Sequence, residues 1–375
     1  MTEVDYYENV RQKLTLGQIN PPPRHKLVYK LLKLFWNEEE IKIITHFPSA
    51  DKSITLEELE TKTGIPQEKI KDILSRPVTV GTISEFRGKY SVVTIFPGVF
   101  EKYFIHSTDT EENLKKAAII CRSIIKKILA SQNYDMDFKF FRPLLPYDAE
   151  EKLIEINETI DAENKVLPFE LVKELIDKNE HFGVIRCQCR HVAEVAGEPC
   201  KSASADMGCF VVGPAAQMQV SQGLARSISK EEAIEFIKAT EKAGLVHNTV
   251  ADISIESSLF ICNCCSCCCG VLYPARQLAY VNIEKSNYTP EWNMDLCNVC
   301  ETCLKKCPNG AIYHKYAEKT DGSDELMVLR EERCIGCGVC SANCPKDAIK
   351  MIKTRNDTPP DQYKIGNKSF LRLIS

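Results

Sequence analysis

Nineteen cysteines in 375 residues are spread so unevenly that they set the terms on which this chain can fold. Only Cys121 precedes position 187; four then lie between 187 and 209, six crowd into residues 262–269, and eight fall between 297 and 344. A free cysteine can pack like a small apolar residue, but six in eight positions gain nothing over alanine or valine and invite oxidation. Disulfide scaffolds are short secreted chains, whereas clustered thiols in a chain of this size point to metal or redox chemistry. The remaining composition is that of an ordinary globular protein, with 48 Lys+Arg against 52 Asp+Glu and a net charge of -4. That balance gives no bulk attraction to nucleic acid or anionic lipid. The first thirty residues are polar, and no run of about 18 apolar residues follows anywhere, so the expectation is a cytoplasmic protein with no membrane span.

The last hundred residues repeat themselves. Cys297-Asn-Val-Cys300-Glu-Thr-Cys303-Leu-Lys-Lys-Cys307-Pro308 and Cys334-Ile-Gly-Cys337-Gly-Val-Cys340-Ser-Ala-Asn-Cys344-Pro345 share the spacing C-x2-C-x2-C-x3-C-P. Both continue alike, through Pro-Asn-Gly-Ala-Ile and Pro-Lys-Asp-Ala-Ile, so the repeat extends into a short strand after each motif. The spacing resembles that of the two-cluster bacterial ferredoxins, in which three thiolates wrap one cubane and the fourth ligand comes from the other motif. The resemblance assigns Cys297, Cys300, Cys303 and Cys344 to one [4Fe–4S] cluster, and Cys334, Cys337, Cys340 and Cys307 to the other. It implies a pseudo-twofold ferredoxin domain and electron transfer between two nearby cubanes. Zinc in two four-cysteine sites is the rival, but zinc pairs rarely use this triplet spacing. The second motif has Gly336 and Gly338, which let backbone N–H groups approach sulfur, where the first has Val299 and Glu301, with Lys305 and Lys306 alongside. Unequal cluster potentials are therefore expected, unless the lysines are only solvated surface.

The central cysteines specify less. Ile185–His191 reads as a short strand after Gly183 and Val184, placing Cys187 and Cys189 on one face. Cys200 and Cys209 follow at loop-like spacings and complete a candidate four-thiolate set. The run Cys262, Cys264, Cys265, Cys267, Cys268 and Cys269 then supplies ligands to each of two centres, or to one unusually ligated centre, jointly with the 187–209 group. A further iron–sulfur cluster, zinc and free redox-active thiols all fit these ten, with the ferredoxin motifs tilting the choice to iron. His191 is an alternative ligand, although a lone histidine beside an arginine is more often an ordinary hydrogen-bonding residue. Arg190 and Arg226 are candidates to balance thiolate charge, surface ion pairs being the commoner fate of arginine. The whole pattern, C-x-C-R, two spaced cysteines, a capped helix ending in Gly-Leu-Val-His and then C-N-C-C-x-C-C-C, resembles uncharacterised multi-cluster iron–sulfur proteins of anaerobes.

The first 108 residues carry few thiols and strong helix signals. Asn37 followed by Glu38, Glu39 and Glu40 opens one helix. Thr55 with Glu58 forms a capping box, Gly64 stops that helix, and Pro66 begins another over Gln67–Leu74 that Pro77 should cut short. Runs at Thr82–Phe86 and Tyr90–Ile95 flank Arg87-Gly88-Lys89 as a hairpin. The order resembles a winged-helix domain. Helices are expected over Asp109–Ser131 and Pro168–Lys178, and Ser229 with Glu232 caps another that ends at Gly244. The fold class is thus α+β multidomain: a winged-helix-like domain over 1–108, a helical connector over 109–180, a central α/β cysteine-rich metal or cluster domain over 181–280, and a ferredoxin-like two-[4Fe–4S] domain over 281–375.

No G-x-G-x-x-G, Walker loop or H-E-x-x-H motif is present, so nucleotide, flavin and zincin readings lack their usual signals. The leading expectation is an iron–sulfur electron-transfer protein, a redox protein partner or subunit of an anaerobic oxidoreductase, relaying electrons through two [4Fe–4S] clusters to or from a further cysteine-ligated centre. One alternative is a redox-sensing winged-helix transcription regulator. Against it, residues 1–110 hold 15 Lys+Arg and 15 Asp+Glu, net zero, where DNA-binding domains show a basic face. Another is an enzyme whose central cluster keeps an open iron site for substrate.

Overall fold

A computed structural model describes residues 3–16, 19–129, 139, 141–149, 154–155, 171–250, 260–278, 283–319 and 325–357. Of the described residues, those up to 129 and 191–199 form one compact unit, and those of 139–190 and 200–357 form the other.

In the first unit, α1 (Glu3–Lys13) and α2 (Lys26–Phe35) precede α3 (Glu38–Ile44). Val28, Leu31, Leu32 and Phe35 recur at helical spacing and bury one face of α2. Asn37 accepts from the N–H groups of Glu39 and Glu40, while the Glu40 carboxylate accepts from Asn37 N–H, closing a capping box at the start of α3. β1 (Ile54–Thr55) leads into α4 (Leu56–Thr63), opened by the Thr55–Glu58 capping box and ended by Gly64 at φ 69°. β2 (Ser84–Phe86) and β3 (Lys89–Ser91) form a hairpin, and β1 joins β3 to give an antiparallel sheet in the order β1-β3-β2.

The helix after Pro66, α5, runs from Gln67 to Thr79 and passes through Pro77 instead of stopping before it. Proline removes one N–H donor, but Val80 N–H still reaches the Arg76 carbonyl at 2.9 Å and Thr82 N–H the Pro77 carbonyl at 2.9 Å, so the last turn survives. After α6 (Phe100–His106), α7 covers Glu111–Lys127 of the helix expected over 109–131; residues 130 and 131 lie outside the described ones. Cys121 sits on the buried face of α7 with Ala117, Ala118, Ile124 and Ile125, where it packs as a small apolar side chain.

The second unit is built on six strands, β4 (Phe141–Pro143), β6 (Phe182–Ile185), β7 (Cys209–Val212), β8 (Arg226–Ile228), β9 (Val246–Val250) and β10 (Phe260–Cys264), in the order β4-β9-β10-β7-β6-β8. Every pairing in it is antiparallel, so the central region is an antiparallel sheet with helices against it rather than a parallel α/β layer. Phe182, Val184, Phe210, Val212 and Ile261 pack with Val172, Ile176, Ala233 and Ile237 from helices Val172–Asp177 and Lys230–Lys242. The second of these opens at the Ser229–Glu232 capping box and is followed by Gly244 at φ 79°. Residues 168–170 of the helix expected at 168–178 lie outside the described ones.

One local expectation fails where the chemistry is densest. β6 ends at Ile185, paired with Cys209, and a helix begins at Gln188 and runs to Val195, so Cys187 and Cys189 do not share a strand face. Cys187 N–H turns to the Ala205 carbonyl at 2.7 Å, and Gly208 packs so tightly that a Cβ there would lie 1.7 Å from the Ile185 carbonyl oxygen. The strand is closed off by a close approach from residues about twenty positions away. Buried Val192 and Ala193 then carry the helical period.

The C-terminal repeat forms β11 (Tyr288–Trp292), β12 (Ile312–Lys315), β13 (Leu326–Leu329) and β14 (Ile349–Lys353). β14 pairs antiparallel with β11 and parallel with β5 (Ile154–Glu155), and β12 pairs with β13. The Ala-Ile steps after the two Cys-Pro pairs lead directly into β12 and β14, and short helices Thr302–Lys306 and Val339–Ala342 carry Cys303 and Cys340. Among the described residues no helix is long and apolar enough to cross a membrane.

Candidate functional site

The eight C-terminal cysteines wall two cavities. One is lined by Cys297, Cys300, Cys303 and Cys344 together with Trp292, Pro345 and Ile349. The other is lined by Cys307, Cys334, Cys337 and Cys340 together with Pro308, Ile335 and Gly336. Each cavity therefore takes three cysteines from one motif and the fourth from the other. Backbone donors repeat with the sequence: Ala311 N–H reaches Cys307 Sγ at 3.1 Å, and Ala348 N–H reaches Cys344 Sγ at 3.3 Å. The buried indole N–H of Trp292 meets no oxygen or nitrogen among the described residues; it lies on the wall of the first cavity and hydrogen-bonds the Cys303 sulfur. A thiolate-ligated cluster, rich in sulfur acceptors, meets the needs of these donors, so the residues present fit a [4Fe–4S] group in each cavity.

The two halves share a backbone course but not its sequence. Val299 and Glu301 have φ of 53° and 60°, and the matching Gly336 and Gly338 have φ of 68° and 72°. Glycine at 336 is demanded by space as well, since a Cβ there would stand 2.1 Å from Ser286 Oγ and 2.4 Å from the Tyr288 carbonyl oxygen. Neither Lys305 nor Lys306 lines a cavity: Lys305 pairs with Glu301 at 3.3 Å, and Lys306 donates to the carbonyl of Lys242 at 3.0 Å, at the end of helix Lys230–Lys242. Around the second cavity, Arg276 donates to the carbonyls of Cys307 at 2.8 Å and Pro308 at 3.1 Å.

The ten central cysteines also converge, in two sets. Cys187 meets both Cys189 and Cys209; Cys209 lies 3.7 Å from Cys262; Cys262 meets Cys264, Cys264 meets Cys269, and Cys269 meets Cys189. These six sulfurs close a ring. The remaining four, Cys200, Cys265, Cys267 and Cys268, have all their sulfurs within 4.8 Å of one another. Cys200 and Cys267 stand 3.4 Å apart, Cys267 and Cys268 3.6 Å. Hydrogen bonds from Cys200, Cys267 and Cys268 hold the Cys265 thiol well below the ordinary range, and those from Cys262 and Cys269 bring Cys264 down to about 6.

Arg190 lies between the sets. Only 1% exposed, it donates to the carbonyls of Ser204 at 2.9 Å, Asn263 at 2.7 Å and Met207, and no carboxylate pairs with it among the described residues. Burial works to lower its pKa, but the neighbouring charges of Cys187, Cys265, Cys209 and Cys200 outweigh burial and raise it. A buried guanidinium needs an anion, and among the described residues the neighbouring cysteine sulfurs provide it. Arg226 is exposed on β8, and His191 packs edge-on to Phe104 with ring centroids 6.4 Å apart.

Sequence reasoning missed the polar frame around these thiols. Asn263 donates to the Gly208 carbonyl at 2.8 Å, which turns its oxygen to His247 Nδ1 at 2.7 Å, and His247 Nε2 faces Glu241 at 3.1 Å. Asn248 is fully buried and hydrogen-bonds the Cys264 sulfur, while among the described residues neither of its amide atoms meets an oxygen or nitrogen. The only local hint of this frame was an asparagine between two cysteines.

The family model of the 4Fe-4S dicluster domain matches residues 296–348, the segment that carries all eight of these cysteines. The chain belongs to the ferredoxin-type iron–sulfur proteins. It is 31% identical over 125 residues to an uncharacterised ferredoxin of Methanocaldococcus jannaschii, a match covering 31% of this chain and 68% of that one. It is 33% identical over 68 residues to the PorD subunit of pyruvate synthase of Methanothermobacter marburgensis, covering 18% of this chain and 70% of that one. The iron–sulfur subunit of the nitrate-inducible formate dehydrogenase of Escherichia coli is 36% identical over 70 residues, 18% of this chain and 22% of that one. No solved structure matches the chain.

Proposed function

We propose that the chain is a cytoplasmic iron–sulfur electron-transfer protein, a partner or subunit of an anaerobic oxidoreductase, in which two [4Fe–4S] clusters relay electrons to or from a further cysteine-held centre in the central region. The observation that carries this reading is the exchange of the fourth cysteine between the two cavities. Cys297, Cys300, Cys303 and Cys344 would hold one cluster, and Cys334, Cys337, Cys340 and Cys307 the other. The clusters supply one-electron chemistry when bound. The chain holds the thiolates, donates Ala311 and Ala348 N–H to sulfur, and screens the sites from water with Pro308, Ile335, Pro345 and Ile349.

A route to the central centre follows from packing. Cys264 and Cys269 of the six-thiol ring share one apolar cluster with Ile335 and Val339, which interleave with the ligands of the second motif. The relay therefore runs from the first cavity to the second and on to the ring. Two of the relatives, a pyruvate synthase subunit and a formate dehydrogenase subunit, support a role beside an oxidoreductase.

The functional division follows segments 1–108, 109–180, 181–280 and 281–375, with the first a winged-helix-like docking module. Arg76, on α5, the second helix of the helix-turn-helix pair, is committed to Glu40 at 3.1 Å and Asp109 at 3.2 Å, which leaves it nothing for phosphate. Phe86 at the hairpin tip is 64% exposed under Arg87, a surface better suited to a protein than to DNA. A reductive titration of the full chain, purified anaerobically and followed by EPR, tests the reading. At least two one-electron equivalents entering cluster signals are expected; the absence of any reducible cluster signal would overturn it.

A further inference from the structure

The two central thiol sets differ in a way that bears on what each can hold. A single tetrahedral ion bound by thiolates at about 2.3 Å places its sulfurs about 3.8 Å apart. Cys200, Cys265, Cys267 and Cys268 already satisfy that geometry, with separations of 3.4 Å and 3.6 Å and none above 4.8 Å. A cubane interposes irons and sulfides between its thiolates and needs an open cavity, like those the eight C-terminal cysteines wall. The four sulfurs of this set stand too close together to leave such a space between them. The six-thiol ring offers more ligands than one tetrahedral ion takes, and buried Asn248 hydrogen-bonds one of its sulfurs, that of Cys264.

We propose that Cys200, Cys265, Cys267 and Cys268 hold one tetrahedral transition-metal ion, zinc or iron, apart from a polynuclear iron–sulfur centre held by the ring of Cys187, Cys189, Cys209, Cys262, Cys264 and Cys269. This deepens the reading of a further cysteine-held centre and rests on it. A divalent ion on four thiolates carries a formal charge of about -2 by simple addition of ligand charges, and the Arg190 guanidinium, wedged between the sets and without a carboxylate among the described residues, offsets part of it. The ion ties the Cys200 loop to the turn after β10 and thereby closes the ring's surroundings. Its role is structural if zinc, and that of a one-electron stop if iron.

The test is metal and acid-labile sulfide content per full chain after anaerobic purification, for the wild type and for Cys267→Ser, Cys200→Ala and Cys264→Ser. Cys267→Ser and the milder Cys200→Ala, in a loop, are each expected to lose one metal ion per chain with sulfide unchanged. Cys264→Ser is expected to lose iron and sulfide together and keep that ion. Whether the lost ion is zinc or iron distinguishes the two sources of the same chemistry. Loss of sulfide in step with the ion in Cys267→Ser, or unchanged metal in both Cys267→Ser and Cys200→Ala, would overturn the proposal. A wild type lacking the roughly eight irons of the C-terminal clusters would instead count against the electron-transfer reading.

Discussion

Replacing Arg190 with methionine removes a buried cation between the two central thiol sets while keeping most of its volume. The side chain makes three hydrogen bonds to carbonyl oxygens, and bonds from a charged donor are worth about 1.5–3 kcal/mol each. Their sum is an upper bound, because the bonds share one side chain and are not independent. Taking one partner from a buried charge pair costs about 3–5 kcal/mol, since the other charge is left uncompensated. The expected loss is therefore about 4 kcal/mol, roughly a thousandfold in the equilibrium between the closed, loaded centre and its open form at 1.4 kcal/mol per decade. Arg190→Lys keeps the charge but lacks the planar fork that reaches three carbonyls at once, so it should fall between. The assay is chelator challenge of the full chain under anaerobic conditions, reading metal and sulfide lost against time. Arg190→Met should lose the central metals rapidly and retain the C-terminal irons. Central loss indistinguishable from wild type would refute the view that Arg190 balances bound thiolates.

Two further outcomes follow from the C-terminal half. Gly336→Ala places a side chain at φ 68°, costing about 1–2 kcal/mol from the left-handed backbone alone, and also displaces Ser286, so denaturation midpoint and second-cluster iron should both drop. Val299→Gly relieves the same conformation in the first half and should be nearly neutral by the same measurement. His314 lies between Glu301 at 2.9 Å and Glu325 at 2.6 Å; the hydrogen bond to Glu301 raises its pKa above 6.5, desolvation opposes it, and Glu325 adds to the rise. A raised folded value means the stabilisation is fully present below the unfolded pKa and is lost as pH rises through the folded one. The difference in melting temperature between wild type and His314→Gln should be largest below pH 6.5 and vanish at alkaline pH; a pH-independent difference would contradict this.

What was legible in the sequence was local or repeated. The Asn37, Thr55 and Ser229 caps depend on residues three positions apart, and the structure forms all three. The ferredoxin motifs bring their own spacing, and the repeat itself announces the short strands after Cys-Pro. The central region failed locally because its decisive contact is distant: Gly208 closes on Ile185 and Cys187 and ends a strand that the alternation of Cys187-Gln188-Cys189 would extend. Cys187 and Cys189 nevertheless meet, across a strand-to-helix junction rather than along a strand face. Pro77 shows the opposite error, a strong local stop overridden by the surviving bonds of the last helical turn. No spacing rule could sort the ten central thiols into six and four, because the sorting depends on the antiparallel register that sets β10 between β7 and β9.

The central claim, two clusters whose fourth ligands are exchanged, is tested most directly by reduced-state EPR with iron counting on the anaerobically purified full chain and on Cys307→Ser and Cys344→Ser. The wild type should show about eight irons in the C-terminal clusters and the broadened spectrum of two interacting centres. Cys307→Ser should alter only the cluster of Cys334, Cys337 and Cys340, and Cys344→Ser only that of Cys297, Cys300 and Cys303. If each substitution instead altered the cluster of its own motif, the exchange seen in the two cavities would not be the ligation of the working protein.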